Sequence, residues 1–554
     1  MQQYNRKRDI INIILFALIA FYCTLPLFIH HGLPYIDDMV FHSFQANQFD
    51  RAIRDGVIYP RWIPDANNGY GSANFIFYAP LSYYLVSAIR LFTPSLTTAM
   101  IAAIWLGFFL SGVTMFVATN KMFGGTGNPL PAIIYQILPF HLGDLYIRGT
   151  FAELVAFIWF PLVILFAYKI LESRNKMAFI GLSISYAGLI LTHLVSGFIF
   201  TLVIGAYLIY NYFLKNKKPL LKTLLSLILG LGLSSFYLIP AIFEKKFVQI
   251  DYIIKCPVGD YRKNFLFMWN KVQIILEHFY LSLHITVILE VILFLFIILV
   301  IQRNREKLLN RLHVNFFMLL FLSAFILTTP LSKPLWDIVP GFPFLQFPWR
   351  WVMVMELSLC LLIGAAFSLR EMPGFRLTDL KKRWIVYLMV ALSLVSLNTI
   401  LQGSHHISKI AVSTVDVREY TPIWAGDMRK IMSEAKIEMV SVVSGEALTD
   451  IVEWTSEERV ISTKASTPAL LRISTFYYPG WEAGIDGNRA NIMIEKESGA
   501  MLIDIPQGEH KLVLKFEDTP VRHYAKIISI LSFCIAVLLV FFSKKTNRDS
   551  KTEL

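Results

Sequence analysis

Apolar runs of about twenty residues recur along most of the chain, and no other feature limits its fold so strongly. A helix rises about 1.5 Å per residue, so about 20 residues cross a hydrocarbon layer of about 30 Å. In lipid every backbone N–H and C=O must bond within the protein, which leaves helices as the natural spanning form for such runs. On that measure spans fall near 10–29, 96–118, 129–147, 151–170, 177–192, 195–214, 220–240, 280–301, 313–330, 347–368, 384–401 and 525–543. The expected fold class is therefore an α-helical polytopic membrane protein with about 12 transmembrane helices. Only 16% of the 554 residues are charged, against about 25% in soluble domains.

The net charge of +12 is read by location, as loop lysines and arginines that set orientation, and no nucleic-acid partner is inferred from it. Basic residues cluster at Arg6 to Arg8, at Lys215, Lys217 and Lys218, from Arg303 to Arg311, from Arg370 to Arg383, and at Lys544 and Lys545. If the spans alternate, these fall on one face, which makes that face and both termini cytoplasmic. The same parity makes Phe75 to Phe92 an interfacial or partly embedded helix, with a re-entrant segment as the alternative. The first apolar run follows basic residues but no small-residue cleavage site follows it, so a retained span is expected. Cys23, Cys256, Cys360 and Cys534 show no spacing for a metal or a disulfide framework.

The opposite face collects the loop 30–95, a short loop around 141–150, Thr192–His193, the loops 244–278 and 331–346, and the block 404–523. That block differs in kind. Lys511–Leu512–Val513–Leu514–Lys515–Phe516 alternates polar and apolar after a Pro506–Gln507–Gly508 turn, and Tyr478–Pro479–Gly480–Trp481 reads as a break. Period-two runs bounded by Gly and Pro predict a small extracytoplasmic β-domain near the C-terminus. The domain plan is thus 1–403 as transmembrane module with first outer loop 30–95, 404–523 as β-domain, and 524–554 as last span and cytoplasmic tail. The tail from Lys544 is polar and expected to be disordered.

Ionisable groups concentrate where spans meet the outer face, and such groups are costly enough near lipid to be candidates for function. Asp37, Asp38 and His42 follow the first span. A carboxylate here can accept the proton of an attacking hydroxyl or hold a divalent cation, Mg or Mn, against a phosphate. The plain alternative is an acidic helix start. Further along the loop stand Arg61 and Tyr78, candidate substrate contacts. His141, Asp144, Tyr146, Arg148 and Glu153 form a second cluster, in which the planar guanidinium suits phosphate oxygens. Glu153 can meet the Asp pair or ion-pair with Arg148, and a structural Arg–Glu pair is the plain alternative. Phe347–Pro348–Trp349–Arg350–Trp351 is a third cluster, whose plain reading is interfacial anchoring. His193 reads as a satisfied polar residue, and Trp424, Trp454 and Trp481 as sugar platforms or core. No Walker loop, dinucleotide fingerprint, zinc spacing or nucleophile elbow is present. Lacking a nucleotide site, an enzyme working outside takes an activated group from something already there, for which a lipid phosphate is the natural source.

An acidic first outer loop, a polytopic body and a terminal outer domain resemble the GT-C superfamily of membrane glycosyltransferases, which use polyprenyl-phosphate-linked sugars. More closely, Asp38–Met39–Val40–Phe41–His42, Tyr59–Pro60–Arg61–Trp62, Gly69–Tyr70–Gly71, Phe77–Tyr78–Ala79–Pro80–Leu81, Tyr146–Ile147–Arg148–Gly149 with Glu153, and Phe347–Pro348–Trp349–Arg350 resemble bacterial membrane proteins labelled "6-pyruvoyl-tetrahydropterin synthase-related". No pterin chemistry is read from that label. The resemblance implies transfer of a sugar from a polyprenyl-phosphate donor to a cell-envelope glycan, lipid or protein acceptor, with inversion, in a bacterial plasma membrane. It implies Asp38, or else Asp37, as catalytic carboxylate, since Ile36–Asp37–Asp38 replaces the usual glycine-aspartate start. It places Glu153 and Arg148 in the second outer loop of the site. His42, Arg61, Tyr78, His141, Arg148 and Arg350 are then substrate-binding candidates, and Asp38 with Glu153 the candidate metal ligands. A flippase or transporter of lipid-linked saccharides, or a non-catalytic envelope scaffold, are the alternatives, and Asp38→Asn should spare a scaffold.

Overall fold

The computed structural model describes residues 6–552 except for short stretches, the longest being 369–379 and 409–417. The basic segments at 215–217 and 369–379 lie outside the described residues, so the topology expected from them does too. Helix α1 (Arg6–His30) shows how the apolar runs are used. Phe16, Ala20, Cys23 and Leu27, spaced along one helical face, are fully buried, while Ile10, Ile11, Ile14 and Leu18 are exposed. An apolar face packed on protein and an apolar face left outside is the pattern of a helix solvated by lipid.

The body also contains α2 (Asp37–Arg54), α3 (Leu81–Arg90), α4 (Leu96–Phe123), α5 (Leu130–Ile137), α6 (Pro139–Tyr146), α7 (Phe151–Ala156) and α8 (Trp159–Ser173), then α9 (Lys176–Thr192), α10 (Leu194–Leu214), α11 (Lys218–Leu233) and α12 (Ser235–Phe243). They are followed by α13 (Glu277–Arg303), α14 (Arg311–Thr328), α15 (Val352–Ser368), α16 (Leu380–Ser404) and α17 (Pro520–Thr552). Among the described residues eight helices are long and apolar enough to cross a membrane, or nine with the bent α11–α12 pair. The chain is a multi-pass membrane protein. Of the twelve expected runs, 129–147 and 220–240 are broken and 177–192 is short, while 384–401 lies in α16, whose first side chains are outside the described residues. The run 129–147 divides at Leu138, whose ψ of 142° interrupts the helix ahead of Pro139. The run 220–240 bends by 77°. The stretch 75–92 contains α3, whose ten residues extend roughly 15 Å, too short to cross.

Side chains hold the broken spans in place. Ser529 on α17 donates to Gly232 O at 3.0 Å and accepts from Phe236 N at 2.8 Å across the α11–α12 bend. Gln136 at the end of α5 donates to Phe16 O and Phe108 O at 3.0 and 2.9 Å, tying that half-span to α1 and α4. A Cβ at Gly112 would meet the Gln136 amide at 2.6 Å, so a side chain there would compete with these bonds. The span that opens at Pro348 and contains α15 is the most enclosed, 83% of its apolar window being buried, whereas α17 at 17% is peripheral.

The C-terminal part forms two antiparallel sheets. One is ordered β3 (Val440–Ser444), β6 (Ala469–Phe476), β10 (Ala500–Ile505) and β9 (Met493–Ile494). The other is ordered β4 (Ala447–Trp454), β5 (Glu458–Ala465), β11 (Gly508–Phe516), β7 (Trp481–Ile485) and β8 (Asn488–Ala490). The alternation seen in the sequence is that of β11, with Leu512, Leu514 and Phe516 buried and Lys511 and Lys515 exposed. Buried Ile461, Leu471, Ile473, Met501 and Ile503 complete the core. A short ladder joins β1 (Leu33–Pro34) to β2 (Ile407–Ser408), so the segments leaving α1 and α16 run side by side.

Candidate functional site at the head of the helical body

The site begins at the first turn of α2. Ile36 is extended (φ −134°, ψ 159°) and the helix starts immediately after it, where carboxylates interact favourably with the helix dipole. Asp38 is exposed, and His42, one turn later on the same face, is buried. The backbone of Asp37 belongs to α2, but its side chain lies outside the described residues. His42 Nδ1 is 2.8 Å from the Tyr83 hydroxyl of α3, and its ring meets Tyr78 and Phe151 edge-on. Burial, with His193 and Arg148 adding to it, pushes His42 down to about 3, so the imidazole is neutral at physiological pH.

The turn between α6 and α7 rests directly on this start. Gly149 has φ +70°, and a Cβ there would fall 2.6 Å from Met39 N. Only a glycine permits that approach without strain, and it brings Arg148 to the first turn of α2. Arg148 Nη1 bonds Asp144 Oδ1 at 2.5 Å, and its Nη2 lies 3.0 Å from Glu153 Oε2. Arg350 Nε lies 3.7 Å from the same Glu153 oxygen. The Asp144 and Glu153 side chains have no solvent exposure, and those of both arginines are 9% exposed. The Trp349 ring sits 4.5 Å from the Arg148 guanidinium carbon, and the Phe347 ring 5.0 Å from that of Arg350. Such faces attract cations and hold the planar groups in place.

Asp38 acts electrostatically on both arginines and on Tyr78 and Tyr83. An exposed carboxylate thus borders a buried pair of guanidiniums that share one carboxylate. Arg350 Nη1 donates to Leu345 O at 2.6 Å, but its Nε, although buried, has no hydrogen-bond partner among the described residues. A buried donor left over is a departure from the usual satisfaction of polar groups.

His193, between α9 and α10, also enters the cluster. Its Nδ1 is 2.8 Å from Ser196 Oγ, and it interacts electrostatically with Glu153, Arg350 and Arg148. Burial, only partly offset by Glu153, lowers it to about 4. The sequence reading as a satisfied polar residue agrees with the Ser196 contact but gives no sign of its proximity to Glu153.

Other sequence candidates stand elsewhere. His141 is fully buried, stacked 4.0 Å from Phe157, with Nδ1 3.1 Å from Tyr135 O. Arg61 joins the first loop to the β-domain: its Nη2 pairs with Glu457 Oε2 at 2.9 Å, and its Nη1 pairs with Asp518. Trp481 packs on Trp62 and Phe516, Trp454 lies under Arg459, and Trp424 stacks on Phe247, so all three tryptophans have protein partners. Asp38 and Glu153, the metal candidates, both stand in this cluster. Glu153 already faces two guanidiniums, and no group of three or more His, Cys, Asp or Glu is placed to hold a metal among the described residues. Two carboxylates that the sequence reading passed over, Glu290 and Glu356, are fully buried within α13 and α15. Their signal was available: each is an acid inside an apolar span.

A multi-pass helical body with a partly buried charge cluster, followed by two antiparallel sheets, defines the class as a polytopic membrane protein. Residues 75–406, more than half of the chain, match the family described as "6-pyruvoyl-tetrahydropterin synthase related domain; membrane protein", and the chain belongs to that family. A protein of Lactococcus lactis subsp. cremoris strain MG1363, described as uncharacterized, is 25% identical over 246 residues, 42% of this chain. The match spans 39% of that relative's length. Among solved structures the chain is similar to the mycobacterial arabinofuranosyltransferase AftD, with TM-score 0.46 and 13% identity over 73% of this chain and 27% of that one. It is also similar to the Archaeoglobus fulgidus oligosaccharyltransferase, with TM-score 0.42 and 15% identity over 74% of this chain and 56% of that one.

Proposed function

We propose that the protein is a GT-C-type membrane glycosyltransferase that moves a sugar from a polyprenyl-phosphate-linked donor to a hydroxyl of an extracytoplasmic envelope acceptor. The observation that carries this reading is the exposed Asp38 acting electrostatically on buried Arg148 and Arg350, which share Glu153, with the Arg350 Nε making no hydrogen bond among the described residues. The donor's phosphate lies against the two guanidiniums, which neutralise charge as it leaves. Asp38 accepts the acceptor's proton, the acceptor oxygen bonds to the anomeric carbon, and the C–O bond to phosphate breaks on the opposite face, inverting that centre. His42, neutral and bonded to Tyr83, orients the turn that carries Asp38. No step runs through a metal.

The test uses purified protein in lipid, radiolabelled polyprenyl-phosphate sugars and an envelope acceptor fraction. Asp38→Asn is expected to lower transfer by roughly 10²–10⁴-fold, the usual worth of a general base, without lowering thermal stability. Transfer lost in Asp37→Asn and retained in Asp38→Asn would move the base by one residue. Glu290 and Glu356, ionisable groups within spans, favour a second reading as a lipid-saccharide transporter. Flipping of labelled lipid by wild type and by Asp38→Asn alike, with no transfer by either, would select it.

A further inference from the structure

Glu290 lies midway along α13 and Glu356 in the second turn of α15, and both are fully buried. Their carboxyls act on each other electrostatically, and both oxygens of Glu290 and Oε2 of Glu356 are buried with no hydrogen-bond donor among the described residues. Neither makes an ion pair among the described residues. The groups named as acting on them among the described residues are Asp144 on α6, Tyr135 on α5 and Cys360 on α15, none of them cationic. Two adjoining carboxylates cannot both be ionised in a low-dielectric interior without a counter-charge.

One oxygen of the pair has a defined task. Glu356 Oε1 accepts the N–H of Phe140 at 3.0 Å. Phe140 is the second residue of α6, the half-span that restarts after the break at Leu138. The first N–H groups of a helix have no partner within it, and inside a membrane body water is not at hand to replace one. Glu356 therefore supplies from α15 the cap that α6 lacks. That helix carries Asp144, which grips Arg148, and the Phe140 ring lies 6.0 Å from the Arg148 guanidinium.

We propose that Glu290 and Glu356 form a proton-sharing carboxyl pair that caps α6 and so positions Asp144 and Arg148 for a phosphate-bearing lipid. Glu290 supplies or receives the shared proton, which lets Glu356 stay buried while its other oxygen holds Phe140. Both are positioning residues. The part of this that concerns lipid phosphate rests on the glycosyltransferase reading.

The experiment compares wild type, Glu356→Ala, Glu356→Gln and Glu290→Gln as full-length protein in lipid. The readouts are amide hydrogen exchange in the peptide covering 138–148 and binding of sugar-free polyprenyl phosphate. Glutamine keeps an oxygen for Phe140 and an amide for Glu290, so Glu356→Gln should match wild type in both. Glu356→Ala should raise exchange in that peptide and weaken lipid-phosphate binding by 10-fold or more. A protonated-carboxyl C=O band in the infrared spectrum should be lost in Glu290→Gln with Glu356→Gln combined. Equal exchange in wild type and Glu356→Ala would overturn the proposal, as would Glu356→Gln behaving like Glu356→Ala. If wild type binds no polyprenyl phosphate, the glycosyltransferase reading falls, and the exchange and infrared results still decide the role of the pair.

Discussion

At Glu153 a single carboxylate with no solvent exposure faces two guanidiniums. Removing one member of a buried ionic group leaves the others uncompensated, at a cost of about 3–5 kcal/mol. Glu153→Ala is therefore expected to unfold at distinctly lower denaturant or temperature than Asp38→Asn, whose side chain is exposed; equal melting of the two would mean that the guanidiniums find other partners. The pH dependence of stability follows from His42. Its burial lowers it from 6.5 to about 3, so between those values the unfolded chain binds a proton that the folded chain refuses. Stability should fall as pH drops from about 6.5 toward 4. In His42→Gln, which keeps a partner for Tyr83, the fall should be shallower, as read by melting temperature across that range.

The element that sets the site's geometry is the turn from α6 to α7. Gly149→Ala puts a Cβ into Met39 of α2 at a φ of +70°, and strain of this kind costs about 1–3 kcal/mol. The expected result is a modest loss of stability with a larger loss of transfer, because the displaced partner is the turn bearing Asp38. Transfer unchanged beside a lowered melting temperature would show that the distance from Arg148 to α2 is not limiting. Broken spans fit the same scheme. A half-helix exposes N–H groups that a continuous helix would use, and Glu356 and Ser529 meet them from other elements.

Over the whole molecule, two largely buried ionic clusters join the parts. Arg61 links the first loop to Glu457 and Asp518, and Arg522 grips Glu244 at the end of α12 with Nη2–Oε2 and Nε–Oε1 distances of 2.8 and 3.0 Å. Tyr478 and Thr519 bond the same Glu244 carboxylate. These contacts tie the β-sheets to the first loop and to α12. Arg61→Ala is expected to increase hydrogen exchange at 55–75 and 455–460 while the inner strands β5, β6 and β11 keep their protection. Uniform exchange across the domain would mean that the clamp and the sheets melt together.

The apolar runs, the period-two strand at Lys511–Phe516 and the acidic turn after the first span could be read directly, because each depends on the burial pattern of one local segment. Asp38, Arg148, Glu153 and Arg350 were legible as charged groups at span ends, and the fold brings them within one another's electrostatic reach. Their pairing was not legible. Arg61 belongs to the first loop but bonds a residue 396 positions away, and Glu356 caps an N–H 216 positions away. A linear pattern shows that a group will be buried or exposed along its own helix or strand. Which carboxylate meets which guanidinium, and whether a broken span can be capped, depends on side chains converging from distant segments, and that convergence exists only once the helices have packed.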